Sequence, residues 1–201
     1  MKSFKVWLAY VDFLLTCLTI SLVLNGVILQ KYVEVKTLVQ GNTIDKSEFL
    51  IEMTWEDGSL NDVDLLVQDP RGALVFYQTT NVGFMTLDRD DRGSANNSVR
   101  TENGNIITSN VRREVVSIRG IIPGRYIVNG RMFANNAGLA SNVRVIVRKL
   151  NPYVEISDNV YSLLSRTDEK TYVSFELDDK GNVISKDLMT QFPLSAKAKL
   201  N

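Results

Sequence analysis

The chain reads as a single N-terminal transmembrane α-helix followed by an all-β domain of β-sandwich or jelly-roll type. Three observations predict this. Val6 to Leu29 is a largely apolar run with one charge, Asp12. From Phe49 the hydrophobic period becomes two, which marks strands with one buried face. The alternating runs are short and separated by Gly-, Pro-, Asn- and Asp-containing turns, the rhythm of a sandwich.

Composition narrows the function classes. Lys plus Arg and Asp plus Glu balance at 23 each among 201 residues, so the chain lacks the basic surface of a nucleic-acid binder. It has no histidine, which removes histidine triads and histidine metal sites. Its one cysteine, Cys17, lies in the apolar run. A cysteine-free remainder suits an oxidising compartment. No phosphate loop, nucleophile elbow or defined carboxylate pair is visible, and no enzyme is expected.

The elements follow in order. Residues 1–5 (MKSFK) form a short basic leader, expected in the cytoplasm. Residues 6–30 are long enough for a helix to span a bilayer core about 30 Å thick at about 1.5 Å per residue. Trp7 and Tyr10 suit an aromatic belt. At helical spacing Asp12, Thr16 and Thr19 share one face, while Cys17, Ser21 and Asn25 form a second stripe suited to helix–helix contact. An intramembrane acid is costly and points to ion handling. Residues 31–47 form a linker or short pairing strand broken at Gly41-Asn42; a plug role is left open.

The β domain is expected over 48–190, with a tail at 191–201. Phe49 to Trp55 alternates cleanly, and Glu56-Asp57-Gly58-Ser59 turns. Val63, Leu65 and Val67 mark the next strand, closed by the Asp69-Pro70-Arg71-Gly72 turn, from which Leu74 to Tyr77 pairs back. Further strands are expected at 84–87, 114–119, 124–133, 143–148, 171–177 and 183–186, the last two joined by Asp178-Asp179-Lys180-Gly181. A helical turn is expected at 158–165. Arg89 to Asn105 reads as a mobile loop and a recognition tip. Asp62, Asp64, Asp88, Asp90 and Asp91 supply the oxygen ligands calcium takes; Asp62 and Asp64, two apart on a strand, share a face. The many arginines, with Arg144 and Arg148 on one strand face, suit a solvated sheet better than an acidic polymer.

Two resemblances bear on function. Trp7 and Ala9-Tyr10-Val11-Asp12-Phe13, leading into an apolar helix, resemble the membrane helix of B-type stator subunits (MotB) and of the related ExbD and TolR proteins. That likeness implies that Asp12 carries a translocated H+ or Na+; Thr16 and Thr19, on its face by helical spacing, would support the ion path. It also implies a homodimer inside a pentameric, polytopic A-type (MotA/ExbB/TolQ-like) partner. The chain would then be a single-pass bacterial inner-membrane protein of an ion-driven motor. Its β-sandwich would lie in the periplasm, transmitting force or binding an envelope partner. Separately, Asp62-Val63-Asp64-Leu65-Leu66-Val67 with Asp69-Pro70-Arg71-Gly72, and Leu87 to Gly93, resemble a family of extracellular bacterial β-sandwich domains of unknown function. Leu66 stands where that family has histidine, so any role of that position does not transfer. The alternative expectation is a membrane-anchored periplasmic binding module, calcium-stabilised, for a carbohydrate or protein ligand.

Overall fold

The computed structural model describes residues 7, 10–26, 46–93 and 95–198. The chain divides into two compact units, Met1–Ile44 and Asp45–Asn201. In the first, residues 10–26 form helix α1. Its hydroxyls and amide turn back onto their own helix: Thr16 Oγ1 donates to the Asp12 carbonyl (2.8 Å) and Thr19 Oγ1 to the Thr16 carbonyl (2.8 Å). Asn25 Nδ2 donates to the Ser21 carbonyl (2.9 Å). Among the described residues no helix is long and apolar enough to cross a membrane. At about 1.5 Å per residue the described stretch 10–26 of α1 spans roughly 25 Å, and Asp12 lies inside it. The expected linker, 31–47, falls outside the described residues except for its last two.

The second unit is all β, as the period-two pattern requires. Among its described residues the strands are β1 (Phe49–Trp55), β2 (Asp62–Gln68), β3 (Leu74–Val75), β4 (Asn81–Val82), β5 (Met85–Arg89), β6 (Ser98–Arg100), β7 (Ile106–Thr108), β8 (Arg112–Ile118), β9 (Gly124–Ala134), β10 (Ser141–Leu150), β11 (Tyr153–Leu163), β12 (Glu169–Leu177) and β13 (Val183–Asp187). One sheet runs β11-β10-β1-β8-β5-β4 and the other β13-β12-β9-β2-β3; β6 and β7 pair only with each other. Every pairing in them is antiparallel.

Alternation explains the core. Phe49, Ile51, Met53 and Trp55 of β1 point inward with Val63, Leu65 and Val67 of β2 and Val143, Val145 and Val147 of β10. Tyr126 stacks on Phe175, their rings 5.3 Å apart and nearly parallel. Gly130 lies where β9 passes close under Tyr172 and Met53: a Cβ there would stand 2.8 Å from Tyr172 Cε2.

The second sheet is apolar on its outer face as well. Leu66, Leu74, Phe76 and Ile127 lie there, and Leu194 seals them. The expected tail is therefore part of the domain, ending in the short helix α2 (Ser195–Ala198). Glu169 holds it by accepting from the Leu194 N–H (2.7 Å), the Ser195 N–H (3.2 Å) and Asn129 Nδ2 (2.5 Å).

Two elements depart from expectation. The helical turn expected at 158–165 is the second half of β11. β11 is an edge strand that pairs only with β10 and is largely exposed, so nothing forces an alternating pattern on its sequence. The loop expected at 89–105 holds β6 and the start of a ribbon with β7.

Candidate cation site

The geometry begins at the free edge of β2. Its partner β3 pairs only with Val67 and Gln68, so β2 has no strand neighbour on that side from Asp62 to Leu66. A carboxylate fills the gap: Glu114 of β8 accepts from the Leu65 N–H (Oε2, 2.7 Å) and from the Asp91 N–H (Oε1, 3.3 Å). Thus β8 is joined to β2 and to the segment after β5 through one buried side chain. Its neighbour Gly93, with φ at 65°, lets the chain turn tightly beside the β1–β2 loop; a Cβ there would meet the Leu60 carbonyl oxygen at 3.0 Å.

Four further acidic groups gather around Glu114, and their environments differ. Asp91 is fully buried and paired through one oxygen: its Oδ2 accepts from Arg89 Nη2 (2.9 Å) and the Arg113 N–H (3.4 Å). Its Oδ1 faces buried Arg112 Nη1 at 3.8 Å, an ion pair without a hydrogen bond. Arg112 is fixed from the other side by Nε donating to the Ser59 carbonyl (2.7 Å). Asp91 is structural.

Asp62, Asp64 and Asp90 are not so provided. Asp64 is only 4% exposed, and among the described residues no donor hydrogen-bonds its carboxylate. Asp62 Oδ1 and Asp90 Oδ1 are likewise buried without partners. The charges show in their titration. Burial first, then Asp62, pushes Asp64 up to about 7, with Arg131 working against the rise. Burial, then Asp90 and Asp91, lifts Asp62 to about 6. Glu114 is raised well above the carboxylate range, by burial and then by the charge of Asp64; the Leu65 hydrogen bond opposes this, and contact with the Asp90 carboxyl adds to it.

Asn61 shapes the adjoining loops. It is buried beside Asp62, donates to the Leu139 carbonyl (3.0 Å) and Ser141 Oγ (2.9 Å), and accepts from the Ala137 N–H (2.8 Å).

Of the sequence-derived calcium set, the fold brings together Asp62, Asp64, Asp90 and Asp91 and separates Asp88. Asp88 points away on the outer face of its sheet, where Arg119 Nη2 pairs with it at 2.9 Å. Glu114 and Asn61 carry no sequence signal of their own: one acid on an alternating strand looks solvent-facing, and only the β2–β8 approach gives it a role. Among the described residues no three acidic side chains stand close enough to ligate one ion as they are. The arginine-rich face is neutralised in place: Arg144 pairs with Asp158, and Arg148 with Glu52 (2.9 Å) and Glu155 (3.9 Å).

No protein-family model matches the chain, and no curated protein does. Similar solved structures do exist. A homologue of the telluride resistance protein TerD from Streptomyces coelicolor A3(2) aligns with a TM-score of 0.47 and 15% identity, over 73% of this chain and 91% of its own. A protein of unknown function, SAV2460, gives 0.47 and 15% over 75% and 95%. A DUF4425 domain from Bacteroides vulgatus gives 0.33 and 10% over 65% and 95%. These findings correct the stator resemblance. No protein-family model matches the chain, those of MotB, ExbD and TolR included, and among the described residues no helix is long and apolar enough to cross a bilayer. The likeness around Asp12 does not hold because a motif of a few residues with one acid among apolar ones is too small to specify a family.

Proposed function

We propose that the β domain is a binding module whose loop end is built around one divalent cation of the calcium class. Asp62, Asp64 and Asp90 would hold the ion, with Glu114 behind them and Asp91 fixing the loop. Asp64 carries this reading: the residue is 4% exposed, and Asp62 and Asp90 raise its carboxyl against the opposing charge of Arg131, its cross-strand partner. Burying such a charge without a partner costs several kcal/mol, so a buried acid is normally paired or bound to metal. The donors are all hard oxygens; the chain has no histidine and residues 45–201 contain no cysteine to favour zinc or copper. Calcium accepts six to eight oxygen ligands in flexible geometry, so these side chains would have to move together to hold it, with water in the remaining positions.

An exterior or periplasmic setting fits this reading. Calcium modules of such compartments work at about 10⁻⁴–10⁻³ M. The β domain also contains no cysteine to oxidise.

Thermal unfolding of the full chain tests the proposal. Millimolar calcium is expected to raise Tm relative to EDTA, with magnesium giving a smaller rise. The Asp64→Asn and Asp62→Asn variants are expected to lose the calcium effect. An identical Tm in calcium and in EDTA removes the proposal.

A further inference from the structure

The β domain contains two Asn-Gly pairs, Asn103-Gly104 and Asn129-Gly130. This dipeptide is chemically labile. Glycine has no side chain to shield its backbone nitrogen, which can reach the amide carbon of the preceding asparagine side chain. The fold places the two pairs in opposite environments.

Asn129 lies in the middle of β9 and is fully buried. Its Nδ2 donates to Glu169 Oε1 (2.5 Å) and to the Phe192 carbonyl (2.7 Å), so the side-chain amide is clamped. Space is absent as well: a Cβ on Gly130 would stand 2.8 Å from Tyr172 Cε2 and 3.3 Å from Met53 Sδ. β9 is paired on both sides, to β2 and to β12. Ring closure at this pair requires the domain to unfold.

Asn103 lies at the tip of the β6–β7 ribbon, in the turn Thr101-Glu102-Asn103-Gly104. It is exposed, and among the described residues its side chain makes no hydrogen bond. Gly104 has φ at 81°, and a Cβ there would meet nothing within 4 Å. The restraint on the pair is the Gly104 N–H, which donates to the Thr101 carbonyl (2.9 Å), supported by the Thr101 N–H on the Asn105 carbonyl (2.8 Å). That restraint is weak. No residue of β6 or β7 is buried, the two strands pair only with each other, and a lone two-stranded ribbon is marginal in water. Opening the turn breaks these two bonds and uncovers no core.

We infer that Asn103 is a spontaneous modification site, converted to aspartyl and isoaspartyl residues while the domain stays folded. With the turn open, the Gly104 nitrogen gives up its proton to base and attacks Asn103 Cγ. The bond from Cγ to the side-chain nitrogen breaks, and that nitrogen leaves as ammonia. The resulting succinimide is opened by water. Addition at Cγ restores the main chain with an aspartate; addition at the main-chain carbonyl carbon leaves the chain running through Cβ and Cγ. One water is consumed, one ammonia is released, and nothing is oxidised or reduced. Between Ser98 and Thr108 the ribbon carries Arg100 and Glu102 in balance, so the new carboxylate makes it net negative. The isoaspartyl form also lengthens the main chain by a carbon atom, and the Gly104-to-Thr101 bond cannot re-form in the same geometry. Both changes fall beside the exposed cross-strand pair Val99 and Ile107.

Peptide mapping of the full chain, held in mildly alkaline buffer with and without urea, tests this. In urea the two pairs are expected to react at similar rates. In the folded chain Asn103 is expected to react within about ten-fold of its rate in urea, because opening a loop tip costs little. Asn129 is expected to slow by about a thousand-fold or more, on the scale of the global unfolding equilibrium. Asn103→Gln is expected to remove the early product, because the longer side chain closes its ring more slowly. An early product that maps elsewhere, Asn97 before Ser98 included, overturns the inference. So does a folded chain in which Asn103 and Asn129 are protected to the same degree.

Discussion

Asp64 is the residue on which the functional reading turns, because its cost and its use oppose each other. In the metal-free domain its charge is buried without a donor. Replacing it by asparagine keeps the shape and removes the charge. Asp64→Asn is therefore expected to stabilise the metal-free domain near pH 8 by about 1–3 kcal/mol, while forfeiting stabilisation by calcium. Denaturant midpoints in EDTA and in calcium check both halves, and a loss of stability in EDTA refutes the first. The sign of the pH dependence follows from the same groups. Asp62 and Asp64 titrate at about 6 and about 7 in the folded domain, against 3.8 for the unperturbed group. Their folded pKa values are raised, so the folded state keeps protons that the unfolded chain has released. The resulting stability is full below about pH 4 and is lost as pH rises through 6 and 7. Asp158, Asp178 and Asp187 are shifted the other way, and their contribution is constant above their ordinary range. In EDTA the denaturant midpoint is thus expected to be higher near pH 5 than near pH 8. The reverse order contradicts the buried cluster.

At the scale of elements, β9 shows how tightly the sheets are fitted. Gly130 has Tyr172 on one side and Met53 on the other. Gly130→Ala is expected to destabilise by about 1–3 kcal/mol through overpacking, despite alanine's lower backbone entropy cost. A neutral outcome in urea unfolding means Tyr172 can shift without penalty. Legibility in sequence followed burial. β1 alternates because one face meets the core, β10 does so in its first half, and β2 was legible through Val63, Leu65 and Val67 although it is buried on both faces. β11 was illegible as a strand because it is an exposed edge. β6 and β7 were hidden for the same reason, in a stretch whose Asn, Gly and Ser content reads as loop. The aspartates of β2 were legible through their spacing, but Glu114 was not: its significance depends on a gap in the β2 ladder that no local pattern encodes.

At the scale of the β domain, the C-terminal strap determines how the second sheet avoids exposing an apolar face. Leu194 is 1% exposed and closes over Leu66, Leu74, Phe76 and Ile127. Leu194→Ala is expected to cost about 2–4 kcal/mol, and Glu169→Ala to act in the same direction by freeing the strap's N–H groups. A strap that is merely decorative would leave Tm unchanged in both variants. The sequence by itself determined that the chain is all β from Phe49, where the turns fall, and that Asp62 and Asp64 share a face, because backbone geometry fixes those periods locally. Only the tertiary structure decided that Asp88 turns outward to Arg119, that Glu114 joins the aspartates, and that the last residues belong to the domain. Each of those depends on residues distant in the chain meeting in space, and burial there sets both the charge state and the energy.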